Sequence, residues 1–194
     1  MTTPPPNSVH PKSRAEWRKW LEENQARPDG VWLISYKKAT GKPRFDYADA
    51  VEEALCFGWI DSKPGKLDEE RSMLWFTPRK PKTGWSKLNK ERVEKLLKAG
   101  LMTSAGLTKV EAAKKDGSWN ALDSAESLLI PPDLAKAFSK NKAARGYFDE
   151  FPRSVKKAIL EWIASAKKPE TRAKRIEETV TKAEKNIRAN QWRQ

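Results

Sequence analysis

Only one cysteine and one histidine occur among 194 residues, and three tyrosines complete a short supply of reactive side chains. With Cys56 alone no internal disulfide can form, and a reducing compartment is the default expectation. One His and one Cys do not make a zinc site. A Ser-His-Asp triad would need His10, which sits in the proline-rich opening "MTTPPPNSVHPK". No metal and no cofactor is therefore expected. Long apolar runs are missing as well, for nothing approaches the ~18 residues that a membrane helix requires. The opening also lacks the charged start and apolar run of a secretory signal. The expectation is a cytoplasmic protein whose residues 1–12 form a disordered leader.

Negative charge is in short supply too. Thirty-nine Lys and Arg face 26 Asp and Glu, for a net charge of +13, and the excess divides almost evenly at Gly100. Such a field draws phosphate-rich partners or anionic membranes, although solubility alone would explain it equally well. The hydrophobic share is a low 38%, yet nine Trp and six Phe are too many for a disordered polyelectrolyte.

Hydrophobic spacing supplies the elements. "SRAEWRKWLEEN" opens with a capping box, Ser13 three residues before Glu16, and aligns Trp17, Trp20 and Leu21. "VWLISYKK" and "RSMLWFT" read as strands, and "GKPR" as a turn. Asp46 is placed to cap "YADAVEEALCF", in which Tyr47, Ala50, Val51, Ala54 and Leu55 share a face and Cys56 points away from it, beside Glu52 and Asp49, unless the helix ends first or is buried on both sides. "GWIDS" then leaves in extended form and "KPGKLDEE" is a loop. Helices follow from Ser86 to Gly100, with Val93, Leu96 and Leu97 as core positions, and from Ser104 to Lys115. An irregular connection over 116–131 leads to helices near 133–139 and 141–148. Two longer ones come after, with stripes Val155, Ile159, Trp162, Ile163, Ala166 and Ala173, Ile176, Val180, Ala183, Ile187. The fold class expected is α+β and mostly helical. A small antiparallel sheet belongs to a domain over 13–118, and a helical module fills 119–194.

Three segments invite functional readings. In "FTPRKPKTGWSKLN", residues 76–89, four basic residues and no acid surround Gly84 and Trp85 just before a helix starts. Unpartnered N–H groups and the macrodipole make a helix start attractive to anions. Arg79, Lys80, Lys82, Lys87 and Lys90 would supply charge, Ser86 a cap or a contact, and Trp85 a stacking face. The bland alternative is a solvated loop with Trp85 plugging the core. In "ALCFGWIDS", Trp59 and Asp61 would line the same pocket. Asp61 is a weak candidate for acid/base work, set against a simple role in a salt bridge or a turn, and Cys56 is more simply a buried thiol. In "AKKPETRAKRI", Lys168, Arg172 and Arg175 form a basic stripe suited to a phosphate backbone, or else a solvated face stitched by glutamates.

The strings "EWRKWLEEN", "ALCFGWIDS", "FTPRKPKTGWSKLNKERVEKLLKAGLM" and "WIASAKKPETRAKRIEETV" resemble the YdeI/OmpD-associated family, also labelled bacteriocin-protection proteins, from Ser13 to Ile187. The resemblance implies a C-terminal module, about 132–188, that also occurs beside other N-terminal domains. It implies protection against bacteriocins or antimicrobial peptides and association with a porin, and no catalytic residues. Three functions are carried forward. The first is a non-catalytic cytosolic binder of a phosphate-bearing or other anionic ligand, nucleic acid included, at residues 79–90. The second is an enzyme on a small anionic substrate that uses Asp61 with Arg79 as clamp. The third is a scaffold whose C-terminal helices dock another protein.

Overall fold

The computed structural model describes residues 2–191, so the extreme ends of the expected leader and module, residues 1 and 192–194, lie outside it. The fold is α+β. Nine α-helices and one four-stranded sheet occur among the described residues. The chain divides into two compact units, residues 1–83 with 88–119, and residues 84–87 with 120–194.

The first unit begins with a correction. The segment expected to be disordered carries β1 (Ser8–Val9), which pairs in parallel with β2 (Val31–Tyr36). The His10 ring packs 4.8 Å from that of Tyr36, and the Thr2 carbonyl accepts from Arg71. Local composition favoured disorder, but an open strand edge offers backbone partners to any extended segment beside it. The sheet is consequently mixed rather than antiparallel, in the order β1-β2-β4-β3. In it β3 (Trp59–Lys66) runs through "KPGK", which was expected to be loop, with an irregularity between Asp61 and Pro64. β4 (Arg71–Pro78) lies antiparallel to both its neighbours.

α1 (Arg14–Asn24) starts where the capping box places it. Ser13 Oγ accepts from the Glu16 N–H at 3.2 Å, while Glu16 accepts from Lys12 N–H rather than from Ser13. Trp17 is fully enclosed, donates its indole N–H to the Ala50 carbonyl at 3.0 Å, and packs on Trp20 and Phe76.

α2 (Tyr47–Cys56) takes the alternative of burial on both sides rather than a single apolar face, for every residue from Ala50 to Cys56 is buried. Tyr47 is instead 53% exposed. Burying Glu52 and Glu53 is tolerable only with cations at hand. Arg14 reaches Asp49 and Glu53 at 2.6 Å each, Arg18 reaches Glu53 at 2.7 Å, and Lys95 reaches Glu52 at 2.9 Å. Burial would raise the Glu52 carboxyl, but Lys95 and Arg14 outweigh it and hold it below the usual range. α3 (Lys87–Lys98) buries Val93 and Leu96, whereas Leu97 is exposed.

α4 (Ser104–Asp116) seals the other end of α2. The Cys56 carbonyl accepts from the Thr103 backbone at 3.1 Å and from its hydroxyl at 2.6 Å, and Thr103 Oγ1 also caps α4 through Gly106 N–H.

The second unit is helical: α5 (Asp123–Glu126), α6 (Pro132–Ser139), α7 (Lys142–Glu150), α8 (Arg153–Ala164) and α9 (Pro169–Ala183). α9 contacts α6, α7 and α8. Leu134, Phe138, Phe148, Ile159, Ile163 and Ile176 fill the shared core. From the expected stripes, Trp162 and Val180 are only partly buried, Ala173 is exposed, and Ile187 lies past the end of α9.

Gly106 and Gly146 make a paired test of this packing. A Cβ at Gly106 would stand 2.3 Å from the Cys56 carbonyl oxygen, while one at Gly146 in α7 meets nothing within 4 Å. Gly106→Ala is expected to destabilise by ~1–3 kcal/mol in denaturant unfolding, as overpacking against backbone does. Gly146→Ala is expected to stabilise by about 0.4–1 kcal/mol.

Candidate functional site

A cavity of about 430 Å³ opens beside the start of α2, wholly within the first unit. Strand alternation builds its floor. Leu33 and Ser35 lie two apart on β2 and so share a face. The register sets Leu74 opposite Leu33 and Ser72 opposite Ser35, and Pro64 of β3 opposite Leu74. Phe45, Tyr47 and Ala50 form the facing wall, with Lys37, Lys38, Arg44 and Asp46 at the polar side. The size falls in the range of small-molecule sites, and the lining has their usual character of apolar surface with a few polar groups.

The polar side is unusual in its bonding. Asp46 stands at the N-cap of α2 with extended backbone (φ −78, ψ 157), yet its side chain makes no capping hydrogen bond. Its carboxylate lies 3.0 Å from Arg44 Nη2 instead. The sequence led to the expectation that Asp46 caps the helix, and competition from Arg44 two residues away overrides it. Arg44 Nε is buried and has no hydrogen-bond partner among the described residues. The first-turn amides of α2 therefore lack a side-chain cap beside a guanidinium edge that is half used. The nearby lysines are more committed. Lys37 donates to the Asp68 and Glu69 carbonyls at 2.9 and 2.8 Å, and Lys42 donates to Glu70 at 2.7 Å.

The residues expected to carry function fall in several places. Trp59 is 0% and Trp85 2% exposed, so neither indole offers a face for stacking, and the plugging role weighed for Trp85 is the one seen. Arg79 is also buried, at 6% exposure, and burial pushes its guanidinium down to about 10 against the opposing pull of Asp61. Asp61 is half-buried and accepts from the Tyr47 hydroxyl at 2.8 Å. Burial and Asp61 both raise the Tyr47 phenol. Lys82 and Lys87 are exposed, and Ser86 and Lys90 are half-buried. Arg79, Lys82 and Lys90 belong to the first unit, and Trp85, Ser86 and Lys87 to the second.

The basic stripe on α9 is a correction. Arg172 pairs with Asp133 through two nitrogens, at 2.6 and 3.0 Å, and donates to the Ile163 carbonyl. Arg175 lies over the Trp162 ring at 5.0 Å and donates to the Trp162 carbonyl and Ser165 Oγ. Both arginines serve the carbonyls at the C-terminal end of α8, which have no partners within their own helix. Of the three, Lys168, at the N-cap of α9, is the one that is exposed. A second groove, of about 790 Å³, runs between α6 and α9 over Ala137, Ile176 and Val180.

Comparison with known families finds two matches, one on each side of residues 110–126. Residues 9–109 match a domain of unknown function, DUF8412, and residues 127–186 match the family described as Bacteriocin-protection, YdeI or OmpD-Associated. The chain belongs to the DUF8412 family, and its C-terminal part is similar to the YdeI/OmpD-associated family. The resemblance expected from Ser13 to Ile187 thus resolves into two. The strings around Trp17, Trp59 and Trp85 lie in the DUF8412 segment, and "WIASAKKPETRAKRIEETV" lies in the YdeI/OmpD-associated module. No curated protein and no solved structure matches the chain. The cavity beside α2 lies wholly inside the DUF8412 segment.

Sequence reasoning passed over Arg44 as part of a turn. A signal was present, since "PRFD" sets a cation, an aromatic ring and an N-cap acid in succession before a helix. The serine pair on the floor required knowledge of the strand register.

The β3–β4 turn that holds Lys37 gives a pH prediction. Asp68 accepts from the Arg71 guanidinium and from the Arg71 and Glu70 backbone, which lowers its carboxyl from 3.8 to about 2. A depressed carboxyl adds stability that is complete above its unfolded-state pKa and is lost as pH falls through the folded value. The thermal midpoint is expected to fall between about pH 4 and pH 2. Asp68→Asn should lower the neutral-pH midpoint and flatten that acid limb.

Proposed function

We propose that the first unit is a non-catalytic receptor for a small ligand with an anionic head and an apolar body, held in the cavity beside α2. The observation that carries this reading is the buried Nε of Arg44, without a partner among the described residues, at the polar side of a largely apolar cavity. Buried donors in folded proteins are nearly always satisfied. An anion placed there would receive Arg44 and face the positive end of α2. Leu33, Leu74 and Phe45 would cover the rest of the molecule. The anion-binding expectation is thereby moved from the 79–90 loop, whose one indole is enclosed, to the α2 entrance.

The family role of the C-terminal module is bacteriocin protection. In this reading the receptor unit senses or sequesters a small compound in that setting, in the cytosol as a reduced, buried Cys56 suits. A catalytic role for Asp61 draws less support, because its partner is a tyrosine hydroxyl and it does not line this cavity.

Fragment screening by protein-observed NMR tests the proposal. Small organic anions should produce saturable shifts at Leu33, Ser35, Tyr47 and Leu74, and Arg44→Met should abolish them without lowering the thermal midpoint appreciably. Saturable shifts confined to Lys80–Lys90, or shifts unaffected by Arg44→Met, would overturn it.

A further inference from the structure

The way Arg44 and Asp46 are joined says more about the ligand. Two side chains two residues apart, at the mouth of the cavity, share a single ion-pair contact where their chemistry provides for more. Arg44 presents its Nε–Nη2 edge, the side-on fork that matches both oxygens of a carboxylate. Asp46 meets only Nη2, through one oxygen at 3.0 Å, and leaves Nε buried and without a partner among the described residues. Asp46 in turn has the extended N-cap backbone from which an aspartate accepts an N–H two or three residues on, here Ala48 or Asp49, and makes no such bond. Ser13, Thr103 and Asn141 all make theirs.

We infer that the ligand is a monocarboxylate with a flat or branched hydrocarbon body. Its head replaces the Asp46 carboxylate on Arg44, and Asp46 swings to cap α2. The inference rests on the cavity being a ligand site and adds the head group and the exchange. The Asp46 side chain is 74% exposed, which leaves it free to turn. A carboxylate set squarely on the guanidinium edge would satisfy Nε and Nη2 together, and the released Asp46 would satisfy an α2 amide. Arg44 then goes from one contact to two, and Asp46 exchanges its ion pair for a helix cap.

Charge argues for a monoanion. Arg44 is the cation whose edge is buried beside the apolar floor; Lys38 also lines the polar side but is exposed to solvent, and Lys37 and Lys42 are engaged by the β3–β4 turn. Desolvating a phosphate dianion against Leu33, Leu74 and Phe45 would leave its second charge poorly matched. The Ser35 and Ser72 hydroxyls, opposite each other on the floor, can receive one polar substituent on the body.

Calorimetric titration of the full chain with phenylacetate, phenylacetamide and phenyl phosphate decides the matter, with amide NMR shifts recorded alongside. Phenylacetate is expected to bind about tenfold or more tightly than its neutral amide, as loss of a charged hydrogen-bonded pair implies, and more tightly than phenyl phosphate. Binding should move the Ala48 and Asp49 amide signals. Asp46→Ala should raise phenylacetate affinity by a few-fold, since the competing carboxylate is gone, and should abolish the Asp49 shift. Arg44→Met should erase the preference for acid over amide. Equal binding of acid and amide within the cavity would overturn the exchange while leaving the receptor reading intact. Tighter phenyl phosphate binding, or weaker phenylacetate binding in Asp46→Ala with an unchanged thermal midpoint, would do the same. No binding of any probe in the cavity would remove both.

Discussion

The first unit depends on enclosing α2 along most of its length. A helix carrying Glu52 and Glu53 can be buried on both sides only if its carboxylates are met by cations, and Arg14, Arg18 and Lys95 meet them. Its last turn is closed by Thr103, whose backbone and hydroxyl both serve the Cys56 carbonyl. Gly106 permits that approach by presenting no Cβ. The first turn is the exception. It opens on a cavity, its N-cap side chain is diverted to Arg44, and so the one incompletely sealed end of the central helix coincides with the candidate site.

The second unit uses its charges differently. On α9 the arginines that look like a nucleic-acid stripe turn back onto α8 and fasten its C-terminal carbonyls, and Asp133 fixes Arg172 from α6. The Arg172 guanidinium holds the Asp133 carboxyl below the usual range. A guanidinium with several donors can bind a carboxylate and a helix end at once, which an ammonium does less well. The net charge of +13 remains a property of the whole surface, but these arginines serve architecture first.

Much of the fold was legible, and the reasons are local. Ser13 with Glu16 marked the start of α1, and alternation in "VWLISY" and "RSMLWF" marked β2 and β4, because capping and pleating act over a few residues. The large aromatics misled where function was concerned. Trp59 and Trp85 stand among basic and flexible residues in the sequence, yet an indole has more to gain from burial than from waiting exposed for a partner. The β1 strand was hidden by the prolines on either side of it, and its pairing partner lies more than twenty residues away.

The sequence by itself determined most of the helices and the strands β2 and β4, the lack of an internal disulfide, the net positive charge and the likeness of the C-terminal module to the YdeI/OmpD-associated family. Tertiary structure alone decided which charges are spent inside. It put Glu52, Glu53 and Arg79 among the buried groups, joined Arg172 to Asp133, and set Ser35 beside Ser72 under Arg44. The physical reason is one of range. Capping, turn and periodicity signals are written within about four residues. Burial and cross-strand register arise from contacts between segments that are distant in the chain, and the composition of neither segment specifies them.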